Sequence, residues 1–365
     1  RWVGRSAVLP NNPSAPQWLR WLVLTAPLFG LQLVWSCEMA QASPFLLSLG
    51  VSKSMMSIVF LAGPLSGLIV QPLVGVLSDR CKSTLGRRRP FIVAGCACSS
   101  LSVLMLGWSK EIAAVFADDG TTLVRPLLTS PTPTSSDFSV NVIQAMDRSL
   151  LVDVVPPAQQ PAVNAWAGRM FGFGAVFGYW IGGIDLVWWT RGWLGGEQLK
   201  VLTIFTSVLL IGTHAVTVTC VRERILISRA GDDADGGGSG SSSGALRALA
   251  DVWHTIRHLP RPIQQVFNVQ FSGWIGWFPV LFFSTTWVAE MYVKTRWEGG
   301  GPGSELKDAP EDVRERATRA GTHAMLWHSV VSLATSIVLP PLVAASSSNS
   351  TSSQHDQRPS SSSRR

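Results

Sequence analysis

The sequence predicts an all-α integral membrane protein, a bundle of about eight helices. Three observations carry that expectation. Only 15% of the 365 residues are charged, whereas soluble globular domains carry about 25%; 46% are hydrophobic and mean hydropathy is +0.24. Sixteen Trp stand against two Tyr. Apolar segments of roughly 20 residues, the length that crosses a bilayer as a helix, recur along the chain between short polar or basic loops. This profile disfavours a soluble enzyme, and no HExxH, Walker A or paired CxxC pattern supports a membrane-bound one. The formal charge of +7 lies in short runs such as Arg87-Arg88-Arg89 rather than across one face, which speaks for membrane orientation and against a nucleic-acid partner.

Residues 1–20 are polar and Pro-rich. Residues 21–221 hold six spans, the first bundle. The spans run over Leu22–Leu49, Met56–Leu77, Phe91–Trp108, Phe138–Val155, Ala165–Trp189 and Val201–Val221. The fourth is weak by hydropathy because it contains Asp147, Arg148 and Asp153, and the run Ser130–Ser136 before it, SPTPTSS, is a poor start for a membrane helix. Residues 222–262 form a hydrophilic linker whose Gly236–Gly244 stretch, GGGSGSSSG, is flexible coil. Residues 263–345 hold two further spans, Ile263–Val288 and Thr322–Ala345, with a charged loop over Glu290–Arg319 between them. Residues 346–365 are a Ser-rich tail expected to be disordered.

Lys and Arg concentrate in the 2–3 loop and the 6–7 linker, whereas the 1–2 loop has Lys53 and the 5–6 loop Arg191 and Lys200. This bias places the 2–3 loop, the linker, the N-terminus and the tail in the cytoplasm. The charged 7–8 loop departs from the pattern, with acidic residues among its basic ones. The sequon at Asn349 then faces away from the glycosylation machinery. The five cysteines are read as free thiols. His254 and His258, four apart in the linker, have no third ligand, so no metal site is read.

Small residues at Gly63, Gly67 and Gly75, with Gln71 in the same register, and at Gly174, Gly178 and Gly182 recur every fourth position, a spacing that lets helices pack closely. Asp79 and Arg80, followed by Gly86, Arg87, Arg88 and Arg89, form a basic turn. It is either a positive-inside anchor or a loop whose charges pair with helix ends and hold one conformational state. In the fourth span Asp137, Asn141, Gln144 and Arg148 stand at i, i+4, i+7 and i+11. Eleven steps of ~100° end about 20° past three turns, so the four share a stripe ~16 Å long. Such a stripe suits a polar path with hydroxyl-binding groups, or the polar face of a surface helix. Glu38 lies between apolar residues, with Gln41 one turn after it and Trp35 one turn before. It is a candidate proton site, since desolvation disfavours a carboxylate's charge, or a structural hydrogen-bond partner. Asn268 and Ser272 share a face in the seventh span near Trp274 and Trp277. Arg169 is a lone cation in the fifth span.

The stretch GPLSGLIVQPLVGVLSDRCKSTLGRRRPF, Gly63 to Phe91, resembles the sucrose/α-glucoside proton symporters of the glycoside–pentoside–hexuronide branch of the major facilitator superfamily. So do the Trp35…Glu38…Pro44 pattern, DFSVNVIQAMDRSLLVDVVP in the fourth span and NVQFSGWIGWFPVLFFSTTW in the seventh. WSCEM, NAWAGRM and FFSTTWVAEMYV look most like the fungal members. The resemblance covers roughly Trp18–Lys110 and Asp137–Ala345 apart from the linker. It implies a twelve-helix fold of which this chain holds about eight helices, hence an incomplete symporter. It also implies a disaccharide of the sucrose or maltose type as substrate, a monomer in the lipid bilayer, protons as the coupling ion and no cofactor, the proton gradient driving uptake. In plant members an Asp and an Arg eleven residues apart serve proton coupling and sugar binding; Asp137 and Arg148 match that spacing. The expected sugar-binding set is Arg148, Gln144, Asn141, Asn268 and Trp35, and the proton-coupling pair is Asp137 and Glu38. Lys53 stands where plant members have a loop His, and Ser284 and Thr286 stand where they have two aspartates. The expected location is the plasma membrane rather than the vacuolar one. A non-transporting membrane protein, a sugar sensor or an inactive paralogue, is the alternative.

Overall fold

The computed structural model describes residues 2–4, 6–48, 52–109, 111–112, 132–226, 254, 257–297, 299 and 304–355. The Gly/Ser stretch 236–244 and residues 356–365 lie outside them. The first span is α1 (Gln17–Cys37), a π-helical turn (Glu38–Ala42) and α2 (Ser43–Ser48). Pro44 explains the wide turn: it has no N–H for the carbonyl four residues back, so the ladder must open there. The next spans are α3 (Lys53–Asp79), α4 (Arg89–Gly107), α5 (Thr132–Val154) and α6 (Gln160–Gly183). The short α7 (Leu186–Trp189) leads to α8 (Gln198–Cys220), then α9 (Arg261–Arg296) and α10 (Glu311–His355).

Six of these segments are long and apolar enough to cross a membrane: the first span, α3, α4, α8, α9 and the Glu311–Leu339 part of α10. The fourth and fifth spans, α5 and α6, fall below that threshold, α5 because it carries its charges inside the helix. The bundle seats both all the same, because α3 and α4 cover α5 and α1 covers α6.

Several boundaries differ from expectation. Helix α5 begins at Thr132, inside the Pro-Thr-Ser run, rather than at Phe138. Pro133 falls in its first turn, where backbone N–H groups have no intrahelical acceptor in any case, so the proline costs no hydrogen bond. Helix α9 continues to Arg296 and α10 starts at Glu311, so much of the charged 7–8 segment is helical. Helix α10 also runs on to His355, through ten residues assigned to a disordered tail. Serine is only mildly unfavourable in a helix already nucleated.

The core is centred on α1, which packs against α6 and α8, while α4 packs on α5 and α8. Leu28, Leu31, Val34, Ile143, Met146, Leu150 and Leu210 are buried together there. The fifth-span glycines serve close packing as their spacing suggested. A Cβ at Gly174 would sit 2.7 Å from the Phe29 carbonyl oxygen, and one at Gly178 2.6 Å from Ser36 Cβ. The outer faces are apolar: Ile58, Leu61, Leu65 and Leu68 of α3 are exposed, as are Val269, Phe271 and Ile275 of α9. All five cysteines are unpaired.

Two short antiparallel pairings add to the all-α plan. β1 (Trp2–Val3) pairs with β4 (Ile225–Leu226), and β2 (Ala7–Val8) with β3 (Val221–Arg222). They tie the N-terminal segment to the start of the 6–7 linker. Both therefore lie at the same end of the bundle, together with the 2–3 loop described below.

Candidate transport site

Glu38 opens the π-turn of the first span, and Ser136 at the start of α5 donates a 2.7 Å hydrogen bond to its Oε1. Asp137 follows Ser136. Both carboxyls line one pocket whose other walls are mainly apolar: Phe45 and Leu46 from α2, Val59 and Phe60 from α3, Leu106 from α4 and Phe282 from α9. The seventh span closes this side. Phe282 stacks on Phe60 with ring centroids 4.6 Å apart, and its carbonyl accepts from Ser43 Oγ at 2.8 Å. The two expected proton-coupling residues are thus brought together although they lie on different spans. Two carboxyls in one apolar pocket repel when both are charged, so taking up a proton relieves a like-charge contact.

The rest of the polar stripe divides by height. Asn141 is buried and committed to its neighbours. Its amide nitrogen donates to Ser66 Oγ at 2.8 Å and to the Asp137 carbonyl at 2.9 Å, and its oxygen accepts from Gln71 Nε2 at 2.8 Å. Gln71 also reaches Gln144 Oε1 at 3.4 Å. Asn141 therefore holds α5 to α3 rather than presenting a free amide. Gly67 makes this possible, since a Cβ there would stand 3.1 Å from Asn141 Oδ1. Arg148, at the far end of the stripe, is exposed and makes no hydrogen bond or ion pair among the described residues. Trp35 is half-buried in hydrophobic packing. Asn268 is exposed on α9, away from the pocket, as are Trp274 and Trp277. Arg169 is not isolated: its guanidinium carbon lies 6.0 Å from the Trp166 ring centroid.

The basic turn pairs its charges with helix ends. Arg88 is buried; its Nε donates to Asp153 Oδ2 at 2.9 Å, its Nη2 to Asp79 Oδ1 at 2.7 Å, and its Nη1 to Ser78 Oγ. Arg87 Nε donates to Asp153 Oδ2 at 3.1 Å, and its Nη1 lies 3.2 Å from Asp79 Oδ1. The backbone N–H groups of Arg87, Arg88 and Arg89 donate to the Glu223 carboxylate at 3.0, 2.9 and 3.0 Å. Gly86 has φ of +110°, and a Cβ there would meet the Glu223 side chain at 2.9 Å. Arg80 is exposed and stands outside this cluster.

Sequence reasoning missed Asp153 and Glu223 as partners, and it missed a buried pair, His214 Nε2 and Asp147 Oδ2 at 3.2 Å. The available signal was that ionisable groups inside a membrane segment pair with one another, and the charges on α5 outnumber the roles first assigned to them. At the opposite end of the bundle, Lys53 Nζ pairs with Glu290 at 2.7 Å and Arg319 with Asp185 at 2.9 Å, joining the first six spans to α9 and α10.

Residues 24–124 match the family model described as MFS/sugar transport protein. The chain is 34% identical over 324 residues to the general alpha-glucoside permease of Schizosaccharomyces pombe, covering 88% of this chain and 56% of that protein. It is 29% identical over 336 residues to the sucrose transport protein SUT5 of Oryza sativa subsp. indica, covering 86% and 59%. It is 31% identical over 282 residues to the sucrose transport protein SUC4 of Arabidopsis thaliana, covering 72% and 53%. The chain spans less than two thirds of the length of these relatives. They are permeases and transport proteins, not enzymes. With its six membrane-length helices, the chain is an integral membrane protein, and it is similar to the MFS/sugar transport family over residues 24–124 and to carriers named for sucrose and α-glucosides over most of its length.

Proposed function

We propose that the chain forms the first bundle and the start of the second bundle of a proton-coupled carrier for an α-glucosidic disaccharide of the sucrose or maltose type. The observation that carries this reading is the meeting of Glu38 and Asp137 in one apolar pocket between spans one, two, three and four, closed by Phe282 of span seven. A proton bound there neutralises a carboxyl and removes its repulsion from the other, so occupancy can bias how the two bundles pack. Arg148 would supply the sugar contact. Its guanidinium offers five donors in a rigid fork suited to paired hydroxyls, and it has no partner among the described residues. Asn141 is better read as the residue that fixes the stripe against α3.

The same reading places the chain in the plasma membrane with its N-terminus in the cytoplasm. Support comes from the basic 2–3 loop, the N-terminal strands and the start of the 6–7 linker gathering at one end.

The test extends this chain with the remaining helices of the matched alpha-glucoside permease and reconstitutes the carrier in proteoliposomes. Labelled sucrose and maltose are supplied with and without an inward proton gradient. Saturable uptake that exceeds equilibrium only with the gradient is the expected result. Gradient-independent equilibration would remove the proton from the proposal.

A further inference from the structure

The buried pair on α5 and α8 has a proton count that follows from its geometry alone. His214 Nδ1 lies 2.7 Å from the Leu210 carbonyl oxygen, and its Nε2 lies 3.2 Å from Asp147 Oδ2. A carbonyl oxygen and an ionised carboxylate oxygen both accept and neither donates. A neutral imidazole carries one N–H, so it cannot satisfy both contacts. One further proton must lie on the line between Nε2 and Oδ2, whichever atom holds it.

Burial argues the same way. Both side chains are 3% exposed, and Asp147 Oδ1 has no hydrogen-bond partner among the described residues. A neutral histidine beside an ionised aspartate would leave a bare negative charge among packed helices, with one oxygen wholly unpaired. The groups facing the pair offer no other compensation. Helix α4 contributes the Cys96 thiol, which lies near His214. Among the described residues, no charged side chain of α1, α3, α6 or α7, the other helices packed on α5 or α8, pairs with either group.

The position is separate from the pocket. Asp147 lies ten residues beyond Asp137, ~15 Å along the helix, and six before Asp153, ~9 Å. Neither Asp147 nor His214 lines the pocket that holds Glu38.

We propose that Asp147 and His214 form a proton-binding site inside the first bundle, distinct from the Glu38–Asp137 pocket, whose proton ties α8 to α5. The site holds this proton whatever the pocket carries, so the inference does not depend on the transport reading.

The experiment places the 365-residue chain, with nitrogen-15-labelled histidine, in lipid nanodiscs and records its magnetic resonance and infrared spectra between about pH 5 and 8, where a free histidine titrates. The His214 signals are assigned by their loss in His214→Gln. The expected result is either two protonated ring nitrogens on His214, or one together with a protonated-carboxyl absorption that disappears in Asp147→Asn. In both cases the state is constant over that range. In Asp147→Asn the amide can donate to Nε2, so His214 should become neutral with its hydrogen bonds intact. A wild-type His214 that is neutral without a protonated Asp147, or that titrates within that range, overturns the proposal. If either variant fails to fold, the other supplies the assignment and the wild-type spectra still decide.

Discussion

Ser136 donates its hydroxyl hydrogen to Glu38 across 98 positions of sequence, at 2.7 Å. The residue immediately before Asp137 is thereby tied to the carboxyl that shares Asp137's pocket. The π-turn that Glu38 opens and the first turns of α5 are held at one place. A change of charge on either acid is therefore felt by both helices.

The first prediction separates the two acids. In the extended carrier, Asp137→Asn removes a titrating group at nearly constant shape. Accumulation against a sugar gradient should be abolished, while sugar exchange without net proton movement is spared. Accumulation that survives in Asp137→Asn and vanishes in Glu38→Gln would move the coupling role to Glu38.

Arg148→Lys keeps the charge and loses the planar fork. Sugar binding should weaken at least about tenfold, ~1.4 kcal/mol, with no comparable loss of thermal stability because Arg148 has no partner in the described fold. Equilibrium binding of labelled sucrose to the extended carrier measures the first, and a melting curve the second. Unchanged affinity would exclude Arg148 from the sugar site.

The 2–3 turn supplies a stability prediction. Gly86→Ala puts a Cβ at a φ of +110° and against the Glu223 side chain, which should cost about 1–3 kcal/mol. Asp153→Asn leaves the buried Arg88 without one of its two carboxylate partners and should cost a similar ~1–3 kcal/mol. Lowered melting temperatures in both variants, with Arg80→Ala close to wild type, is the expected pattern. An Arg80→Ala loss as large as that of Asp153→Asn would contradict the assignment of Arg80 to a place outside the cluster.

Topology can be read with single cysteines in a cysteine-free background. A label in the Gly/Ser stretch 236–244 should react only from the cytoplasm, and one near Gly299 only from outside. The reverse pattern would invert the orientation.

Acid sensitivity should appear at the end opposite the 2–3 turn. The Trp188 backbone N–H, and secondly the Arg319 guanidinium, hold the Asp185 carboxyl below the usual carboxylate range. A depressed folded value means that the stabilisation is present above the ordinary aspartate value of about 3.9 and is lost as pH falls below it. Wild-type melting temperature should therefore drop more steeply below about pH 4 than that of Asp185→Asn, which keeps the helix cap and removes the titrating charge. Parallel curves would show that the Asp185–Arg319 pair contributes nothing measurable.

The sequence by itself marked the long apolar segments and the basic runs between them, because apolar length and loop charge are local properties of a chain. It also determined that Asp137, Asn141, Gln144 and Arg148 share one face of a helix, since the α-helical repeat places them there before any neighbour is known. The glycine spacing of the fifth span likewise announced a close helix contact, which Gly174 and Gly178 make with α1. Only the tertiary structure decided what each polar side chain meets. Asn141 was legible as a polar group but not as one consumed by Ser66 and Gln71. Asp147 finds His214 67 positions away, and Glu223 reaches the Arg87 backbone across 136. Such pairs depend on which helices adjoin and how each is rotated about its axis, and those are fixed by packing across the whole bundle rather than by the local run of residues.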